Sequence, residues 1–153
     1  MSQSSAAIAC APRVSSNENA QNARRKVLIV DDDQFFTRNL ERLLRRQGFE
    51  VVTLRSALGL SAAVQREQPD LLLVDVAMPA INGDRAAELL RKSGLANCPI
   101  VLLSALPNDQ LAAASERCQA TAYISKVRRA GDILQQIDLI LERRCPASGI
   151  VAK

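Results

Sequence analysis

Between positions 26 and 143, short apolar runs alternate with longer segments whose apolar residues recur every three or four positions. The runs are KVLIV, EVVTL, LLLV, PIVLLS and TAYIS, and the segments that follow them are 34–47, 57–67, 84–92, 108–118 and 130–143. Runs such as 71–74 and 100–103 are apolar without alternation, the pattern of a strand covered on both faces. The longer segments carry one-sided stripes instead. Phe36, Leu40, Leu43 and Leu44 make one, and Ile133, Leu134, Ile137, Ile140 and Leu141 make another, as helices lying on a core require. Strands and helices alternating with short links predict parallel strands joined by right-handed crossovers. The expected fold is α/β: a five-stranded parallel sheet, doubly wound, with five helices.

Outside this pattern the chain changes character. Residues 1–25, with the stretch SSNENAQNARR, show no apolar period and are expected to form a disordered tail. A domain over 26–145 and a short tail over 146–153 complete the expected organisation. The 48% hydrophobic content is ample for a core, but only 3% is aromatic, so packing is aliphatic and stacking platforms for bases are not expected. The net charge of +4 comes from scattered short runs, Arg45-Arg46 and Arg128-Arg129 among them, which suits a solvated surface better than a nucleic-acid footprint. No direct nucleic-acid binding is expected. With no histidine and four widely spaced cysteines, zinc sites and histidine catalysis drop out. No secretory signal and no membrane span is evident, so the expected location is the cytoplasm.

In doubly wound sheets, ligands sit at the carboxyl ends of the strands. The first strand ends in Asp31, Asp32 and Asp33, the third in Asp75, the fourth in Ser104, and Lys126 follows the fifth. With the flavodoxin-like strand order 2-1-3-4-5, these groups share one rim, while the second strand lies at an edge. Two close carboxylates repel by about 4 kcal/mol at a near-surface dielectric, so this cluster needs a cation. Oxygen donors alone suit a hard ion, and Mg²⁺ held by one or two carboxylates, waters and a phosphate matches the supply. An acid pair, a lone acceptor aspartate, a hydroxyl and a lysine together point to phosphoryl transfer onto the lone aspartate.

The blocks VLIVDDD, LLLVDVAMPAINGD, PIVLLSA and AYISK resemble, in order and spacing, the signature blocks of the receiver domain of two-component response regulators. The resemblance runs from about Lys26 to Arg144. It implies that Asp75 is the phosphoacceptor, that Asp31, Asp32 and Asp75 hold Mg²⁺ (Asp31 through water) and that the backbone carbonyl of Ala77 is a further ligand. It implies that Ser104 and Lys126 engage phosphoryl oxygens and that Tyr123 is an aromatic switch whose ring turns inward. The donor would be a sensor histidine kinase or a histidine phosphotransfer protein, and the output a contact with a downstream protein, as in stand-alone receivers. Phe35, adjacent to Phe36 but off its stripe, is a candidate docking residue for that donor. Asp33 is expected to cap the first helix and Asp84 the third, with Gly83 supplying freedom for a tight turn.

Two features depart from the family pattern. Val127 stands where a proline, often in a cis bond, is usual, so the Lys126–Val127 bond is expected to be trans. Ala77 and Leu106 stand where side chains face the attacking water, and neither can orient it, so slow hydrolysis is expected. Two other functions compete: a degenerate receiver-like adaptor acting without phosphorylation, and a haloacid-dehalogenase-type phosphatase. The retained acidic, hydroxyl and lysine set weighs against the first. Phe35 in place of the threonine of Asp-x-Asp-x-Thr weighs against the second.

Overall fold

A computed structural model describes residues 25–143. The expected tails lie outside the described residues, except for Arg25, whose carbonyl accepts a hydrogen bond from Glu50 N at 2.9 Å. Five strands, β1 (Lys26–Val30), β2 (Glu50–Leu54), β3 (Leu71–Asp75), β4 (Ile100–Ser104) and β5 (Ala122–Ser125), alternate with five helices. These are α1 (Gln34–Arg46), α2 (Leu60–Glu67), α3 (Gly83–Lys92), α4 (Asn108–Cys118) and α5 (Ala130–Glu142). All strand pairs are parallel, in the order β2-β1-β3-β4-β5. This is the expected topology, with β2 at an edge.

The apolar runs become two-faced strands because successive side chains point to opposite sides. Leu28 and Val30, Leu72 and Val74, Ile100 and Leu102 enter one core with α2, α3 and α4. Their neighbours Val27 and Ile29, Leu71 and Leu73, Val101 and Leu103 enter the other with α1 and α5. Each of these strand residues is fully buried, and burying one such side chain contributes about 1.5–3 kcal/mol. Among the described residues no helix is long and apolar enough to cross a membrane.

Three expectations change in detail. The second helix starts at Leu60 rather than position 57, because Gly59 takes a left-handed φ of 78° and breaks the turn. The third helix has Asn82 at its cap position; Asp84 lies within its first turn, and its carboxylate pairs with Arg117 of α4 at 2.8 Å. Gly83 is needed for closeness rather than for turning. A Cβ there would overlap the backbone carbonyl of Asp75 and sit 2.7 Å from Val74 Cγ1. The start of α3 is therefore pressed directly onto the end of β3.

The link from β3 to α3 carries strain of its own. Ala80 holds φ at 72°, while Ile81 N donates to the Pro79 carbonyl at 3.0 Å across it. A left-handed residue with a Cβ costs roughly 1–2 kcal/mol, and glycine removes that cost while adding some unfolded-state entropy. Ala80→Gly is therefore expected to stabilise the protein by about 0.5–1 kcal/mol. The denaturant midpoint should rise with an unchanged slope; a fall would show that this turn is not strained.

Candidate functional site

The parallel register delivers the chemistry to one rim. Asp75 is the last residue of β3, paired with Leu103 of β4, and Ser104 follows one residue on. Asp31 continues β1, its N–H donating to the Leu54 carbonyl at 3.0 Å. Lys126 continues β5 in the same way, its N–H donating to the Ser104 carbonyl at 2.8 Å. Ladder hydrogen bonds thus extend one residue beyond the strands and fix the backbones that carry the charged groups.

Asp31, Asp32 and Asp75 each place a carboxylate oxygen within 4.8 Å of the others. Asp31 and Asp75 are buried, whereas Asp32 is exposed. Between the buried pair sits the Lys126 ammonium, 2.7 Å from Asp31 Oδ2 and 2.9 Å from Asp75 Oδ2. The remaining oxygens are tied to backbone: Asp31 Oδ1 accepts from Asp33 N at 2.9 Å and Asp75 Oδ1 from Ala77 N at 3.1 Å. Asp31 Oδ2 is buried and has no partner beyond that ammonium. Lys126 itself lies over the Phe36 ring, 4.9 Å from its centroid, a contact that steadies a cation while shielding it from water.

Burial pushes the Asp31 carboxyl up from its ordinary range, against the opposing pull of Lys126 and the Asp33 N–H, and Asp75 adds to the rise. Burial pulls Lys126 down, but its bonds to Asp31 and Asp75 outweigh that and leave it raised and charged. Three carboxylates against one ammonium leave a formal charge of −3 + 1 = −2 in the cleft. All donors are oxygens, and the buried Asp31 Oδ2 has only the ammonium against it. These residues fit a hard divalent cation.

The other sequence-predicted residues fall around this centre. Ser104 is fully buried, its Oγ accepting from Leu106 N at 3.1 Å. Tyr123 stands on β5 with 41% of its surface exposed, so its ring is outward here. Ala77 is exposed, whereas Leu106 is half-buried against the core under α3 and α4. Asp33 caps α1 as expected, its Oδ1 accepting from Phe35 N and Phe36 N at 3.0 and 3.1 Å. Phe35 and Val127 are each 80% exposed and border a groove of about 340 Å³ floored by Phe36, Leu40 and Ile133. All peptide bonds among the described residues are trans, Lys126–Val127 included. Sequence reasoning missed Phe36 as the shelf under Lys126 and Thr37 as a buried polar residue beside Asp31. A polar residue in register with the apolar stripe at 40 and 44 is the signal that marks Thr37.

The response regulator receiver domain family matches residues 27–138. The chain belongs to that family. Among curated relatives, the Mycobacterium tuberculosis transcriptional regulatory protein PdtaR is 32% identical over 121 residues, covering 78% of this chain and 58% of that protein. Protein RcaC of Microchaete diplosiphon is 42% identical over 82 residues, 53% of this chain and 13% of that protein. The chain therefore spans little more than half, or far less, of the relatives it matches. Among solved structures, the BeF3-activated receiver domain of Klebsiella pneumoniae RstA is 28% identical with a TM-score of 0.70, covering 76% of this chain and 98% of that one. The receiver domain of Francisella response regulator 1452 shares the fold at TM-score 0.71 and 20% identity, covering 79% and 99%.

In this receiver the Asp31 charge is a cost to folding when no cation offsets it. A raised folded-state carboxyl means that stability falls as pH rises through the carboxylate range. At pH 7 with chelator present, Asp31→Asn should raise Tm by a few degrees, roughly 1 kcal/mol, the scale of one partly screened like-charge contact. The gain should shrink as pH falls and Asp31 becomes protonated by itself. A lower Tm for the variant at pH 7 would contradict this account.

Proposed function

We propose that this receiver accepts a phosphoryl group on Asp75 from a phosphohistidine of a sensor kinase or phosphotransfer protein, and signals by a change at its surface. The observation that carries it is the Lys126 ammonium held between the buried carboxylates of Asp31 and Asp75, with Asp32 completing the cluster. An Asp75 oxygen attacks phosphorus and the P–N bond to the donor imidazole breaks, its electron pair leaving on the ring nitrogen, which takes a proton from solvent so that neutral imidazole departs. Asp31, Asp32, Asp75 and the Ala77 carbonyl would hold Mg²⁺, which when bound supplies the positive charge that lets a phosphoryl group approach this anionic cleft.

The chain's own groups do the rest. Lys126 transfers its charge from the Asp75 carboxylate to a phosphoryl oxygen, which its long stem allows without backbone movement. The Ser104 hydroxyl, now accepting from Leu106 N, keeps its proton free to donate to another phosphoryl oxygen. Because Ser104 is fully buried, that bond requires the β4–α4 link to shift, and the outward Tyr123 ring is the neighbour free to turn in. Phe35, exposed at the groove rim beside the site, is the docking residue for the donor.

Incubation with acetyl phosphate and Mg²⁺ should label the native chain, with labelling lost in Asp75→Ala and in chelator. Phe35→Ala should keep labelling by acetyl phosphate while slowing transfer from a phosphohistidine donor. No labelling of the native chain, by acetyl phosphate or the phosphoryl mimic beryllofluoride, would replace this function with that of an adaptor. Hydrolysis gives a separate check, since Ala77 and Leu106 offer no group to orient water. Ala77→Asn with Leu106→Glu should shorten the lifetime of the phosphorylated form severalfold; an unchanged decay rate would remove these positions from the account.

A further inference from the structure

A small cavity of about 110 Å³ lies between α1 and the end of β2, lined by Asp31, Gln34, Thr37, Arg38, Thr53 and Arg55 among others. One wall residue carries a buried oxygen that no protein group satisfies, Thr37 Oγ1, and another, Asp31, carries a buried Oδ2 with only the Lys126 ammonium against it. Thr37 is 7% exposed and lies on the core-facing side of α1 with Leu40 and Leu44. Side chains on a helix lean toward its N-terminus, and Thr37 follows Asp33 by one turn, so its hydroxyl leans toward the end of β1. An unpartnered buried hydroxyl destabilises the fold, and valine fills the same volume without that cost. A threonine here is therefore explained only by something the hydroxyl binds.

We propose that Thr37 is a positioning residue for Asp31, acting through a water at the inner end of this cavity that bridges Thr37 Oγ1 and Asp31 Oδ2. The cavity has room for several waters, each needing about 30 Å³. The bridge gives Asp31 Oδ2 a second donor beside the Lys126 ammonium and orients the carboxylate, whose other oxygen is already held by Asp33 N. A water so placed is also in position to belong to the hydration shell of a divalent cation at Asp31 and Asp32. This rests on the cation site proposed above.

Mg²⁺ affinity of the native chain, read by calorimetry without any phosphodonor, is compared with Thr37→Val, Thr37→Ser and Thr37→Ala. Loss of a group that orients a metal ligand typically weakens binding by about tenfold or more. Thr37→Val is expected to weaken Mg²⁺ by about tenfold, Thr37→Ser to restore native affinity, and Thr37→Ala to behave as valine does. Native affinity in the valine variant, with a raised Tm in chelator, would show an idle hydroxyl and overturn the proposal. Equal loss in the serine and valine variants would show a packing role and overturn it too. Absence of Mg²⁺ binding by the native chain would instead remove the cation site, and the proposal with it. The alanine variant keeps the test decisive where valine fails to fold.

Discussion

Everything at the rim depends on one repulsion and on what offsets it. Three carboxylates meet within 4.8 Å because parallel strands end together, and a single ammonium stands among them. At such distances each like-charge contact costs on the order of 4 kcal/mol before screening, and one lysine cannot cancel three acids. The cleft is therefore built short of positive charge. That shortage fits a hard divalent cation and, on the function proposed above, is what lets the cation-loaded cleft take a phosphoryl group. A site balanced within the protein would be more stable and would leave a cation little to offset.

The two cores keep this arrangement rigid. Fully buried residues alternate along β1, β3 and β4 into one core or the other, so none of these strands can slip by a residue without turning its side chains to the wrong layer. Ladder bonds then reach one step past the strands to Asp31 and Lys126. Gly83 adds a second clamp, since the start of α3 touches the Asp75 carbonyl with no room for a side chain. Asp84, the next residue, is joined to Arg117 of α4. The Asp75 backbone is thus in mechanical contact with α3 and, through the Asp84–Arg117 pair, linked to α4.

Most of the architecture was legible because its signal is periodic. Unbroken apolar runs such as Leu71–Val74 belong to strands covered twice, and the stripe through Leu40 and Leu44 belongs to a helix on a core. The convergence of Asp31, Asp75 and Lys126 followed from topology alone, since parallel strands share a carboxyl edge. What stayed hidden depends on contacts between distant residues. Nothing near Asp84 in the chain announces Arg117, and nothing near Gly83 announces the Asp75 carbonyl. The late start of α2 was hidden differently: Ala57 extends its apolar period, and only the left-handed backbone at Gly59 ends it.

The missing proline after Lys126 shows how such a site tolerates change. In the family pattern a proline sets the loop's course; here Val127 follows in a trans link, and its side chain is out in solvent. Lys126 nonetheless reaches both carboxylates, because three other constraints aim it. Its N–H is bonded to the Ser104 carbonyl, its ammonium lies over the Phe36 ring, and the two acids draw that ammonium inward. The charge position is over-determined, while the loop beyond it is not. The exposed apolar side chains of Val127 and Phe35 border the groove beside that charge, so a change there leaves the contacts that aim Lys126 in place; on the function proposed above, this surface can recognise a partner without disturbing the transfer.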